Sequence, residues 1–170
     1  MHRADTGYDS PKGLFLKLTR TSRGWKMIDQ GWRVAEFDDL GRLLSEADEF
    51  FDPQQPDSGN IIRYFYDETG RLSRIIDPVK RESTITYWPE GASGGGAYPG
   101  LVREMVDWRE RKLEYEYDAD AGTLTKVKLP EVANTSGGRP VVEYAYAAGG
   151  SFSDNLELRN LESIKEPHEA

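Results

Sequence analysis

Five segments of this chain end on an aromatic residue, and three of them run directly into an aspartate, a short spacer and a glycine. Arg33-Val-Ala-Glu-Phe37 is followed by Asp38-Asp-Leu-Gly41-Arg42-Leu43, and Ile62-Arg-Tyr-Phe-Tyr66 by Asp67-Glu-Thr-Gly70-Arg71-Leu72. Leu113-Glu-Tyr-Glu-Tyr117 leads into Asp118-Ala-Asp-Ala-Gly122-Thr123-Leu124. Two looser copies are Ser83–Tyr87, before a Gly-rich stretch, and Val142–Tyr146, before Ala147-Ala148-Gly149-Gly150. The aromatic anchors at 37, 66, 87, 117 and 146 lie 29, 21, 30 and 29 residues apart, and a degenerate copy begins near Leu14–Leu18. Self-similarity at this period means that each copy is one supersecondary unit, stacked on its neighbours to bury a shared core.

The content of each unit follows from side-chain periodicity. Tyr66, Tyr64 and Ile62 alternate with polar or differently facing neighbours, as do Tyr117, Tyr115 and Leu113, and Tyr146, Tyr144 and Val142. A period of two is that of a strand with one packed face. Asp38, Asp67 and Asp118 then supply side chains that bond their own backbone two residues on. Gly41, Gly70 and Gly122 accept the positive φ that closes a hairpin. The strand after the turn reads Leu72-Ser-Arg-Ile75-Ile-Asp77, Val102-Arg-Glu-Met105-Val-Asp107 or Leu161-Glu-Ser-Ile164-Lys-Glu166. Its apolar residues sit three apart, which strict alternation does not produce and a bulge or bend does. Pro78, Pro130 and Pro167 mark strand exits, since proline cannot donate to a ladder.

Leu40–Phe51 has some helical character, but its place in the repeat makes it strand. The fold class is therefore all-β, built of antiparallel hairpins. The expected core face carries Tyr64, Tyr66, Ile85, Tyr87, Tyr115, Tyr117, Tyr144 and Tyr146 in rows. Each should meet its counterpart in a neighbouring hairpin and be more buried than Glu114, Glu116 and Glu143 opposite. Residues 1–13 read as a flexible lead, 14–168 as the repeat domain with a flexible loop over 90–100, and 169–170 as a tail.

The run from Tyr66-Asp67-Glu-Thr-Gly70-Arg71-Leu72 through Ile75-Ile-Asp77-Pro78-Val-Lys-Arg81 to Ile85-Thr-Tyr87 closely resembles the tyrosine–aspartate (YD, or RHS) repeat. The resemblance extends over roughly residues 14–168 with decaying quality. Lys80 stands where the family usually has Gly, Thr123 replaces the turn arginine, and Gly91–Gly100 widens one hairpin. The resemblance implies a curved or spiralling antiparallel strip, a segment of the hollow shells of bacterial RHS proteins, insecticidal toxin complex C components and teneurins. It also implies a bacterial secreted or cell-surface setting, and further repeats of the same or another chain as partners. A strip of five or six hairpins cannot close a shell, so its terminal strands near Leu14–Leu18 and Leu156–Ile164 invite edge pairing into a homo-oligomer or fibre. The Pro-, Gly-, Asn- and Tyr-rich self-cleavage motif of the toxin shells does not occur in this sequence.

Composition narrows the remaining chemistry. The chain has 170 residues, 37% hydrophobic and 31% charged, with a net charge of −8. Lys and Arg are interleaved with acids, so neither nucleic acid nor an anionic membrane face is an expected partner. No stretch is apolar over the length that spans a bilayer, and Met1–Asp5 lacks the apolar segment of a signal peptide. Cysteine is absent, which removes disulfides, thiolate nucleophiles and zinc–thiolate sites.

Histidine occurs only as His2 and His168, at the ends of the sequence. A Ser-His-Asp centre or imidazole metal site would have to be built there, which a fold seldom does. Carboxylate groups such as Asp38/Asp39, Asp48/Glu49/Asp52 and Asp118/Asp120 resemble glycosidase pairs in composition, but their recurrence at turn positions favours a structural use. Asp118-Ala-Asp120-Ala-Gly122 opens like a Ca²⁺ loop and has Leu129 where the bidentate acid belongs; this excludes an EF-hand and leaves room for a weak surface Ca²⁺ site. The Gly91–Gly100 loop lacks the Gly-Lys-Ser/Thr of a phosphate loop. Trp25, Trp32, Trp88 and Trp108 either pack the sheet or stack on sugar rings. The expected function is a non-catalytic structural repeat module with no cofactor, no catalytic residue and no metal. The alternative is a carbohydrate-binding or adhesion module using exposed aromatics and hairpin tips.

Overall fold

The computed structural model describes residues 3–4, 7–52, 54–55, 58–89, 99–118, 121–131, 138–147 and 160–167. Among them all regular structure is β. The chain divides into two compact units, Met1–Ser83 and Thr84–Ala170. The first holds β1 (Arg3–Ala4), β2 (Gly7–Asp9), β3 (Lys17–Thr21), β4 (Gly24–Ile28), β5 (Val34–Phe37), β6 (Leu43–Ala47), β7 (Ile61–Tyr66) and β8 (Leu72–Ile76). β9 (Glu82–Tyr87) begins at the junction. The second unit continues with β10 (Val102–Val106), β11 (Lys112–Tyr117), β12 (Leu124–Lys128), β13 (Val141–Tyr146) and β14 (Leu161–Lys165). Within each unit the strands pair antiparallel in chain order, so every connection is a hairpin.

The same irregularity recurs in five of these hairpins. Tyr66 is registered with Leu72, but its predecessor Phe65 faces Arg74, so Ser73 is an extra residue. The identical slip leaves Leu44 extra opposite Phe37, Arg103 opposite Tyr87, Thr125 opposite Tyr117 and Glu162 opposite Tyr146. Each aromatic anchor thus sits at the mouth of a bulge that begins one residue into the second strand. Two extra residues use a hydroxyl to tie the bulge down: Ser73 Oγ donates to Phe65 O (3.3 Å) and Thr125 Oγ1 to Glu116 O (3.1 Å). The three-residue apolar spacing follows, because the extra residue returns Ile75 to the face of Leu72.

Register assigns the faces. In the first unit one face carries the rows Leu18–Met27–Ala35–Glu46–Ile62 and Trp25–Phe37–Leu43. In the second unit Ile85–Met105–Leu113 and Tyr115–Val127–Val142 share a face. The opposite face of that unit is a ladder of charges, with Lys128–Glu116 at 2.5 Å, Arg139–Glu114 at 2.7 Å, Lys112–Glu104 at 2.8 Å and Lys126–Glu143 at 3.4 Å. Opposite charges on adjacent strands attract modestly and also set the register.

Three expectations are corrected by these observations. The lead over 1–13 contains β1 and β2, so strand pairing begins before residue 14, and the strand expected at Leu14–Leu18 runs over Lys17–Thr21. Tyrosines on the apolar face are registered with aliphatic residues rather than with one another: Tyr64 with Ile75, Tyr115 with Val127, Tyr144 with Ile164. The expected burial contrast is also weak, since Tyr115, Tyr117, Tyr144 and Tyr146 are half-buried and so are Glu114, Glu116 and Glu143. Cross-strand ion pairs cover the glutamates, while a single sheet leaves each tyrosine one side open. The most buried apolar residues are small or branched: Ala35, Ala47, Ile61, Ile85 and Val127, each still 7–8% exposed. Most of loop 90–100, the tail 169–170 and the stretch 148–159 fall outside the described residues.

Candidate functional site

The most elaborated local chemistry is a corner that recurs in identical form. At Asp67, the backbone N–H donates to Arg71 O (2.8 Å) and the Asp67 carbonyl accepts from Gly70 N (2.9 Å). Oδ1 of the same residue accepts from the Thr69 and Arg71 amides, each at 2.9 Å, and Oδ2 accepts from Arg71 Nε at 3.0 Å. Gly70 has φ 84° and Gly41 φ 82°. This is a type I turn closed by a left-handed residue, the usual three-residue hairpin loop, with one carboxylate occupying both orphan amides.

The same box is built at Asp38–Arg42, Asp29–Arg33, Asp77–Arg81 and Asp107–Arg111, with Arg Nε to Oδ2 distances of 2.6, 2.7, 2.5 and 2.7 Å. In the last three the left-handed position is filled by Trp32 (φ 61°), Lys80 (φ 65°) and Glu110 (φ 60°). Asp77 and Asp107, read as the last residues of second strands, are therefore first residues of further corners. The signal was present as a fivefold Asp-x-x-x-Arg spacing. It was hidden because only two copies carry glycine at the left-handed position.

Two corners depart from the rule. Asp118 N bonds Thr123 O across a loop one residue longer, Gly122 (φ 66°) is left-handed, and no arginine follows. Asp48 closes a much wider loop: Oδ1 accepts from the Phe50 and Asn60 amides (3.1 and 3.0 Å) and Oδ2 from Asn60 Nδ2 (2.6 Å). Gly59, just before Asn60, has φ 64°. Asn60 stands where the other boxes have arginine.

Charge follows geometry. Partial desolvation pushes the Asp29, Asp38 and Asp77 carboxyls up, but the amide and guanidinium hydrogen bonds outweigh it and hold all three below the usual range. At Asp107 the Arg111 hydrogen bond leads the lowering, and at Asp67 the Thr69 hydroxyl leads, placing that carboxyl far below the usual value. A carboxylate kept ionised and saturated with donors is a poor proton carrier.

The anchors have polar work too. Tyr66 OH donates to Leu43 O (2.7 Å) and Tyr117 OH to Val102 O (2.9 Å), in each case the residue that opens the bulge of the preceding hairpin. Tyr115 OH reaches Met105 Sδ at 3.3 Å. The remaining expected core residues, Tyr87, Tyr144 and Tyr146, lie at the ends and middle of β9 and β13 and are half-buried.

The tryptophans are dispersed by role. Trp25 packs its ring 5.5 Å from that of Tyr8, with Arg20 4.9 Å above it. Trp32 is 70% exposed at a corner tip. Trp88 and Trp108 stack under Arg103 and Arg109 at 5.1 and 4.5 Å. Among the described residues no group of three or more His, Asp or Glu side chains is placed to hold a metal ion. His2, His168 and Asp120 lie outside those residues.

No family model and no curated protein matches this chain. It is similar to a solved structure. That structure is the crystal structure of TcdB2-TccC3-Cdc42, matched over 96% of this chain and 10% of the other, at 14% sequence identity and a TM-score of 0.40. The chain thus spans about a tenth of the length of that protein.

Proposed function

We propose that the chain is a non-catalytic structural repeat module of the YD/RHS type, contributing hairpins to a longer β-shell or to an assembling secreted or surface protein. The observation that carries this reading is the corner box. Aspartates at positions 29, 38, 67, 77 and 107 each spend both carboxylate oxygens on their own turn. Repeated carboxylates used in this way support an architectural role over an acid–base one. β14 stands last in the strand order of its unit and is exposed along its length, with Leu161 at 49% and Ile164 at 53%. An outer strand with two exposed aliphatic side chains supports pairing with a further repeat or another copy.

Sedimentation velocity over a range of protein and salt concentrations tests the reading. Self-association is expected, and Ile164→Lys should suppress it, because a charge on an edge strand blocks strand addition. A monomer at every concentration that also binds a glycan, and loses that binding in Trp88→Ala, replaces this reading with the carbohydrate-binding one.

A further inference from the structure

On the face of the first unit that carries Leu18 and Met27, one apolar row is interrupted. Leu18, Met27, Ala35, Glu46 and Ile62 are registered side by side, and Glu46 is the charged member. Its carboxylate accepts a 2.6 Å hydrogen bond from Tyr64 OH, and burial together with this contact pushes the Tyr64 phenol up to about 12. Among the described ion pairs none neutralises Glu46. A hollow of about 410 Å³ lies beside it, lined by Met27, Ala35, Ile62 and Pro78 and also by Asp29 and Arg33.

The corner box supplies a second, independent observation at the same place. Asp48 also lines this hollow. At five other corners an arginine neutralises the aspartate, but here Asn60 occupies that position and brings hydrogen bonds without charge. The neighbouring Asp29 already has Arg33 at 2.6 Å. Glu46, Asp48 and the Asp29–Arg33 pair therefore line one hollow, and of its three carboxylates only Asp29 has a cation among the described ion pairs.

We propose that this hollow takes the Arg or Lys side chain of an extended, basic segment of a partner polypeptide. A guanidinium offers donors to both carboxylates, and its methylene stem covers the Met27 and Ile62 surface. Alternating apolar residues of an extended segment would lie along the row on either side of Glu46. The inference goes beyond the structural role above and does not depend on strand addition at β14.

Fluorescence anisotropy of a labelled peptide alternating valine and arginine, beside the same peptide with citrulline for arginine, tests it on the whole chain. The arginine peptide should bind about tenfold more tightly, since the difference is a charge-assisted hydrogen-bonded pair, and added salt should weaken it. Glu46→Gln should reduce binding by a similar factor, while Glu68→Gln, at a corner on the other edge of the sheet, should not. Asn60→Arg restores the missing cation from within the chain, so it should abolish peptide binding and raise thermal stability together. Equal binding of the two peptides, or full binding by Glu46→Gln with unchanged strand content, overturns the proposal. Free arginine amide binding as tightly as the peptide would make this a small-cation site and overturn the polypeptide occupant.

Discussion

The guanidinium of Arg42 lies 4.9 Å above the ring of Tyr66. The two residues belong to successive hairpins, and the contact couples them. Arg42 closes its own corner through Asp38, while the Tyr66 hydroxyl returns to the carbonyl of Leu43, the residue next to Arg42. A Cβ added to Gly70, in the corner after Tyr66, would meet Arg42 Nη1 at 3.2 Å. Turn, bulge and aromatic anchor are thus parts of one joint.

Removing the anchor hydroxyl should open that joint. Tyr66→Phe and Tyr117→Phe leave the Leu43 and Val102 carbonyls without their donor, and each should cost about 1 kcal/mol of stability. Chemical denaturation with strand CD as the signal measures it. A loss within error of zero would mean that water replaces the hydroxyl.

Glycines at positive φ differ by what surrounds them. Gly41 has nothing within 4 Å of a Cβ, so Gly41→Ala pays only for the left-handed backbone, about 1 kcal/mol. At Gly24 (φ 142°) a Cβ would collide with the Phe37 carbonyl and the Asp38 backbone on the neighbouring strand. Gly24→Ala should therefore lower Tm far more than Gly41→Ala, and the reverse order would contradict the close approach of β4 and β5.

Glu110 holds the left-handed position of its corner without being glycine. Glu110→Gly should relieve that strain and stabilise the chain by roughly 0.5–1 kcal/mol, the backbone gain being partly offset by a freer unfolded state. Calorimetry would detect the higher Tm; a decrease would show that the Glu110 side chain makes a stabilising contact.

Acid should act through the corners. The carboxyls of Asp29, Asp38, Asp67, Asp77 and Asp107 titrate below their unfolded values. Their contribution is complete above the unfolded pKa of about 3.9 and is lost as pH falls through the lower folded values. Tm should be nearly flat from about pH 7 to 5 with respect to these groups and drop below about pH 4. Asp67→Asn should flatten the drop, and an unaltered acid profile in that variant would remove Asp67 from the account.

The chain's periodicities sufficed for the strand class, the order of hairpins, the positive φ at Gly41 and Gly70, and a bulge where Leu72 and Ile75 lie three apart. These depend on local backbone geometry, and local geometry is written in adjacent residues. Corners at Asp29, Asp77 and Asp107 were missed because Trp32, Lys80 or Glu110 stands there in place of glycine; their local mark is the aspartate with arginine four residues on. What lay outside any local reading was set by pairing between strands. Register decided that Tyr64 meets Ile75 rather than another tyrosine, that Glu46 falls in an apolar row, and that the glutamates opposite are shielded by lysines and arginines of neighbouring strands. A sequence states which way a side chain points along its own strand, but only the paired sheet states what stands beside it.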